Sequence, residues 1–137
     1  MTFQRTLRRQ VACAGIGLHS GHKVNLTLKP AAADTGIRFR RSDLGIDIPA
    51  SVAHVGGTNH ATCLSHNGAV VETVEHLLAA MTCMGLDNAV VELDHREVPV
   101  MAGSSAPFVY LIQEAGLRTP ATPRRYLKVL PPVPLPR

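Results

Sequence analysis

Residues 24–29 alternate without a break, with Val24, Leu26 and Leu28 on one side and Asn25, Thr27 and Lys29 on the other. A two-residue period marks a strand with one buried face, and Pro30, which cannot donate to a ladder, predicts its end. Ile37-Arg38-Phe39-Arg40 alternates in the same way and sets its arginines on the outer face. Residues 3–12 predict an earlier strand that runs to a turn at Gly15, Gly17, Ser20 and Gly21. Residues 31–36 read as a turn, 43–49 as a loop and 48–55 as a short strand. Asn67-Gly68 lies between the apolar runs 61–64 and 69–72, a direct signal for a β-hairpin. Residues 88–93 predict an apolar strand. Val98-Pro99-Val100-Met101 reads as an extended piece whose proline belongs at an edge or in a loop. A last strand is expected over 125–130.

The period lengthens at Val74. Apolar residues recur at Val74, Leu77, Leu78 and Met81, which predicts a helix over 74–84, capped by the Thr73 hydroxyl and stopped by Gly85. Phe108, Leu111, Ile112 and Ala115 predict a second helix, with Ser104 or Ser105 as its cap, Pro107 in its first turn and Gly116 at its end. Strands interrupted by two amphipathic helices imply an α+β fold. The expected architecture is a two-layer sandwich of a mainly antiparallel sheet with both helices on one face.

Composition narrows the class. The 137 residues, 45% hydrophobic and 18% charged, suit one globular domain with a real core. No apolar run is long enough for a membrane helix, and the polar, basic start predicts no secretion signal. Cys13, Cys63 and Cys83 are odd in number and widely spaced, which predicts buried thiols in a reducing cytoplasm and no disulfide framework. The net charge of +4 points first to nucleic acid or phosphate. Yet Arg118, Arg124, Arg125, Lys128 and Arg137 fall in residues 118–137, where no acid occurs and prolines cluster. The remainder is near neutral, and with two Tyr, three Phe and no Trp the chain lacks stacking platforms, so a nucleic-acid partner is not expected.

The chemistry gathers at Glu75 and His76. Both fall in the first turn of the predicted helix, where unpaired N–H groups and the positive end of the dipole favour an ionised carboxylate and a neutral imidazole. A neutral metal ligand beside a carboxylate base is what metal-assisted hydrolysis of an amide or ester uses. His60 follows Thr58 and Asn59 in a loop that could face this turn. His19 and His22 sit in the Gly-rich turn, and His66 and His95 in apparent surface turns. No His-Glu-x-x-His helix and no Cys-x-x-Cys occurs, so spacing alone gives one ligand and an incomplete metal site.

Four stretches occur in one order: Gly15-Ile16-Gly17-Leu18-His19-Ser20-Gly21, Thr58-Asn59-His60-Ala61-Thr62, Thr73-Val74-Glu75-His76-Leu77 and Glu97-Val98-Pro99-Val100-Met101-Ala102-Gly103-Ser104. Together they resemble the N-terminal half of the zinc-dependent UDP-3-O-acyl-N-acetylglucosamine deacetylases of lipid A biosynthesis. The resemblance implies a two-domain cytoplasmic enzyme with its active site between the domains. By it, Glu75 is the general base, His76 one Zn2+ ligand, His60 a residue lining the site and His19 part of its substrate-binding surroundings. It places the other zinc ligands, a His and an Asp, in a second domain that this chain lacks. Ala102 departs from an acidic residue common in the family. Residues 1–117 then form the N-terminal domain, and 118–137 a Pro/Arg-rich linker with the start of the second. The expected function is part of a deacetylase acting on UDP-3-O-acyl-N-acetylglucosamine, inactive alone. Two other readings stand beside it: a non-catalytic binding or regulatory module, and a small complete enzyme recruiting His19 or His60 as replacement ligands.

Overall fold

The strand read from residues 24–29 runs through a five-stranded sheet, and its apolar side becomes the floor of the core. The computed structural model describes residues 2–57, 61–128 and 130–132. Within them the chain forms β1 (Thr6–Leu7), β2 (Val11–Ile16), β3 (Lys23–Pro30), β4 (Ile37–Arg41), β5 (Ile46–Pro49), β6 (Val55–Gly57), β7 (Cys63–His66) and β8 (Ala69–Glu72). Then follow α1 (Glu75–Cys83), β9 (Ala89–Leu93), α2 (Ala106–Ala115) and β10 (Leu117–Arg118), with short 3-10 turns at Val52–His54 and Met101–Gly103.

The main sheet has the order β2-β3-β9-β4-β5, antiparallel except where β4 runs parallel to β9. Its register aligns Leu26 with Leu93, Leu28 with Val91, and Phe39 with both Val91 and Ile48. Those side chains therefore share one face, and all are 0% exposed. The other face is polar and partly open to solvent. It carries the ion pairs Lys29–Glu92 at 2.7 Å and Arg40–Asp47 at 2.8 Å. Each apolar side chain withdrawn from water contributes about 1.5–3 kcal/mol, so this asymmetry fixes which face the helices cover.

Both helices lie on the apolar face. Leu77, Ala80 and Met81 of α1 and Phe108, Ile112 and Ala115 of α2 join the same core cluster as the sheet residues. The helices touch each other, and α2 also rests on β2. The two-layer α+β expectation is met, with finer detail added. A three-stranded sheet, β6-β7-β8, packs beside β5, and β1 pairs with β10. The β7–β8 hairpin turns at Asn67 and Gly68, whose φ values of 50° and 81° are what the Asn-Gly pair anticipates. Arg41, buried at the end of β4, ties the sheets by donating to the Val70 carbonyl at 2.6 Å and to Asp43.

Several boundaries differ from the sequence reading. The strand expected over 3–12 breaks after Leu7, and β2 instead runs into the Gly-rich segment as far as Ile16. Gly15 permits this, since a Cβ there would stand 2.8 Å from the Pro99 side chain. The strand expected over 48–55 stops at Pro49 and gives way to a 3-10 turn before β6. No strand forms over residues 125–128. The β1 ladder is already occupied by Leu117–Arg118, and the chain beyond is tied down by Arg124–Asp87 and Arg125–Asp34 ion pairs. The cysteines are free as expected, but Cys13 and Cys63 are half-buried and Cys83 is exposed on the outer side of α1.

Phe39→Ala is expected to lower the unfolding free energy of the chain by about 3–5 kcal/mol, because it opens a cavity where four strands meet. Arg40→Ala, next in sequence on the polar face, removes only a partly exposed pair and is expected to cost about 1 kcal/mol or less. Urea titration of the two variants checks the contrast.

Candidate active site

Glu75 and His76 are the first two residues of α1, as the sequence predicts, but the chain enters that helix under strain. Thr73 has φ of 60°, a left-handed backbone that costs a β-branched residue roughly 1–2 kcal/mol. Two hydrogen bonds hold it there. Its N–H donates to the Thr62 carbonyl at 3.0 Å, and its hydroxyl donates to Oε2 of Glu97 at 2.7 Å. The hydroxyl therefore does not cap α1. The capping position is taken by Val74, which makes no side-chain cap bond. The left-handed Thr73 backbone aims its hydroxyl at Glu97 and leaves Val74 at the cap position, so the expected Thr73 cap does not form. The far end behaves as predicted. Gly85 has φ of 66°, its N–H bonds the Thr82 carbonyl, and the Leu86 N–H bonds the Met81 carbonyl.

Glu97 is 0% exposed. Besides Thr73 it accepts the backbone N–H of His19, at 3.0 Å to Oε1 and 3.1 Å to Oε2, and that of Ser20 at 2.8 Å. Burial pushes its carboxyl pKa up, but the bonds from Ser20, Thr73 and His19 outweigh burial and hold it below the usual glutamate range. Gly17 makes the approach possible: a Cβ there would lie 2.4 Å from Oε1 of Glu97 and 2.4 Å from the Ser20 hydroxyl. The sequence reading did not single out Glu97 as a site residue. The available signal was an acid set directly against the apolar Val98-Pro99-Val100 piece, where a carboxylate drawn inward must find donors.

The catalytic candidates stand on this frame. Glu75 is exposed, and its Oε1 accepts the Thr62 N–H at 3.2 Å. His76 is half-exposed beside it. The His19 side chain is exposed while its backbone is pinned by Glu97. His60 lies outside the described residues; Thr62, two positions on, bonds Glu75. The other histidines pair among themselves. His22 stacks on His95 with ring centroids 4.5 Å apart, beside a cavity of about 430 Å3 that Glu72 and Arg96 also line. His95 is thus half-buried rather than a free surface residue, and its Nδ1 is buried with no partner among the described residues. His54 meets His66 edge to face at 5.0 Å.

Among the described residues no three His, Cys, Asp or Glu side chains converge as a metal site. Zinc catalysis uses three protein ligands and an open position. His76 alone is too few, so the described residues do not by themselves fit the ion.

Gly17→Ala is expected to destabilise the chain by about 1–3 kcal/mol, because the added methyl must push the turn off Glu97; thermal unfolding measures it. The acid limb follows from the depressed Glu97 pKa. Its contribution is complete above the ordinary glutamate value of about 4.3 and is lost as pH falls through the lower folded value. The stability gap between wild type and Glu97→Gln is therefore expected to hold above the ordinary glutamate value of about 4.3 and to shrink as pH falls below it, as protonated glutamate comes to resemble glutamine.

Residues 4–136 match the family model described as LpxC, UDP-3-O-acyl N-acetylglycosamine deacetylase. A protein of Pseudomonas entomophila named UDP-3-O-acyl-N-acetylglucosamine deacetylase is 53% identical over 132 residues, covering 95% of this chain and 44% of that protein. A Vibrio cholerae serotype O1 protein of the same name is 50% identical over 136 residues, covering 97% and 45%. One from Legionella pneumophila is 48% identical over 135 residues, covering 97% and 44%. The chain thus spans less than half the length of these relatives. The match over residues 4–136 and the identity to these relatives lead to one conclusion: the chain belongs to the LpxC family of UDP-3-O-acyl N-acetylglycosamine deacetylases.

Proposed function

We propose that this chain supplies one half of the active site of a zinc-dependent deacetylase that hydrolyses the N-acetyl group of UDP-3-O-acyl-N-acetylglucosamine. The observation that carries the reading is the consecutive pair Glu75 and His76, presented to solvent at the start of α1. In it Glu75 is the general base, His76 is one zinc ligand, and His60 and His19 contact substrate. Zinc, when bound, would polarise the amide carbonyl and acidify water. A full set of metal ligands is not among the described residues. What these residues contribute is a carboxylate oriented by the Thr62 N–H to take a proton and an imidazole fixed next to it in the same helical turn.

In the same reading residues 1–117 are the domain and 118–137 lead to a second one, with the reaction in the cytoplasm as part of lipid A biosynthesis. No helix among the described residues is long and apolar enough to cross a membrane. The second reading is a non-catalytic module, in keeping with the described residues, among which no three metal-ligating side chains converge.

Zinc-dependent release of acetate from UDP-3-O-acyl-N-acetylglucosamine tests the reading, with the chain alone and after adding the separately produced remainder of a relative. We expect no turnover alone and recovery on complementation. Glu75→Gln is expected to lose about 10²–10⁴-fold of the recovered kcat, and His76→Ala to abolish it. Turnover by the chain alone that His76→Ala removes would contradict the half-site reading. Silence in both mixtures would favour the non-catalytic module.

A further inference from the structure

Glu97 is a charged group sealed from solvent, yet its bonds serve no cation. Among the described residues no Lys, Arg or His forms an ion pair with it. Its two oxygens are taken up by two backbone N–H groups and one hydroxyl, contributed by segments more than fifty residues apart in sequence. Short bonds to N–H and O–H groups fix positions, because each donor must point at a lone pair. Being fully buried, Glu97 has no access to a substrate and cannot itself be the base.

The groups it grips are the ones that matter. On one side it fixes the backbone of His19 and Ser20, whose turn comes close enough only because residue 17 is glycine. On the other it holds Thr73 in its left-handed conformation, two residues before Glu75. Isolated β-bridges continue the tie, pairing Gly17 with Pro99 and Glu72 with Glu97. A shift of Glu97 would move the His19 turn and the start of α1 relative to each other.

We propose that Glu97 is a positioning residue that fixes the His19–Ser20 turn relative to the start of α1, and so to the Glu75–His76 pair, by joining the two segments through one buried carboxylate. This rests on the deacetylase reading for its catalytic consequence but not for its structural one, and two measurements separate them. In ¹H–¹⁵N spectra of the 137-residue chain, Thr73→Val removes one hydroxyl and leaves the charge in place. It is expected to shift the amide signals of His19 and Ser20, more than fifty residues away, while Thr73→Ser, which keeps the hydroxyl, restores them. Shifts confined to the neighbours of residue 73 would overturn the proposal, whatever the reaction. In the complemented acetate-release assay, Glu97→Gln and Thr73→Val are expected to lower kcat about 10–100-fold, as loss of an orienting partner does, with little change in KM. Thr73→Ser is expected to recover most of what Thr73→Val loses. Wild-type kcat in both Glu97→Gln and Thr73→Val would also overturn the proposal. A silent wild type would count against the deacetylase reading and leave the spectra to decide on Glu97. If Glu97→Gln fails to fold, the Thr73 pair still decides.

Discussion

The part of the structure that presents the candidate chemistry depends on one buried carboxylate. Taking an ionised glutamate out of water is costly unless hydrogen bonds replace its hydration. Glu97 meets that requirement with backbone donors from His19 and Ser20 and the hydroxyl of Thr73. Each of those donors then loses its freedom to move. The close-approach glycine at position 17 and the left-handed Thr73 are both consequences of bringing three segments to a single charge. The strain at Thr73, about 1–2 kcal/mol, is comparable to what one charge-assisted hydrogen bond returns, so the conformation persists only while that bond is made.

The four motifs that carry the family resemblance become one hydrogen-bonded unit through this arrangement. The Gly-rich turn and the Glu97 piece meet directly. Thr73 links Glu97 to α1, and Thr62 accepts the Thr73 N–H while donating its own N–H to Glu75. The motifs are thus positions of contact rather than four separate pieces of machinery. The polar face of the sheet takes no part in this unit. The apolar face does, because the core beneath α1 sets the level at which Glu75 and His76 emerge.

Where one physical signal dominated, the fold was legible in the sequence. The alternation in β3 and β4, the Asn67-Gly68 turn, the Gly85 stop and the apolar stripes of both helices all follow from local periodicity or from backbone freedom that glycine supplies. The misreadings share a different cause. Thr73 looks like a cap because serine and threonine favour that position, but its left-handed backbone turns the hydroxyl to Glu97 and leaves Val74 at the cap. Residues 125–130 look like a strand because their composition suits one, but residues 125–128 form none, and the chain there is held by the Arg124–Asp87 and Arg125–Asp34 ion pairs. The candidate site was readable at Glu75 and His76, whose chemistry is local. Glu97 was not, since its role depends on donors brought together only by the fold.

The most direct measurement is hydrogen–deuterium exchange at the His19 and Ser20 amides. Both lie in a turn whose His19 side chain is exposed, where amides ordinarily exchange fast. If the Glu97 carboxylate holds them, they exchange as slowly as the amides of β3 and β9, and Glu97→Gln releases them while those strands stay protected. Exchange as fast as that of other surface turns in the wild type would contradict the account, because the turn would then not be fixed to the helix that carries Glu75 and His76.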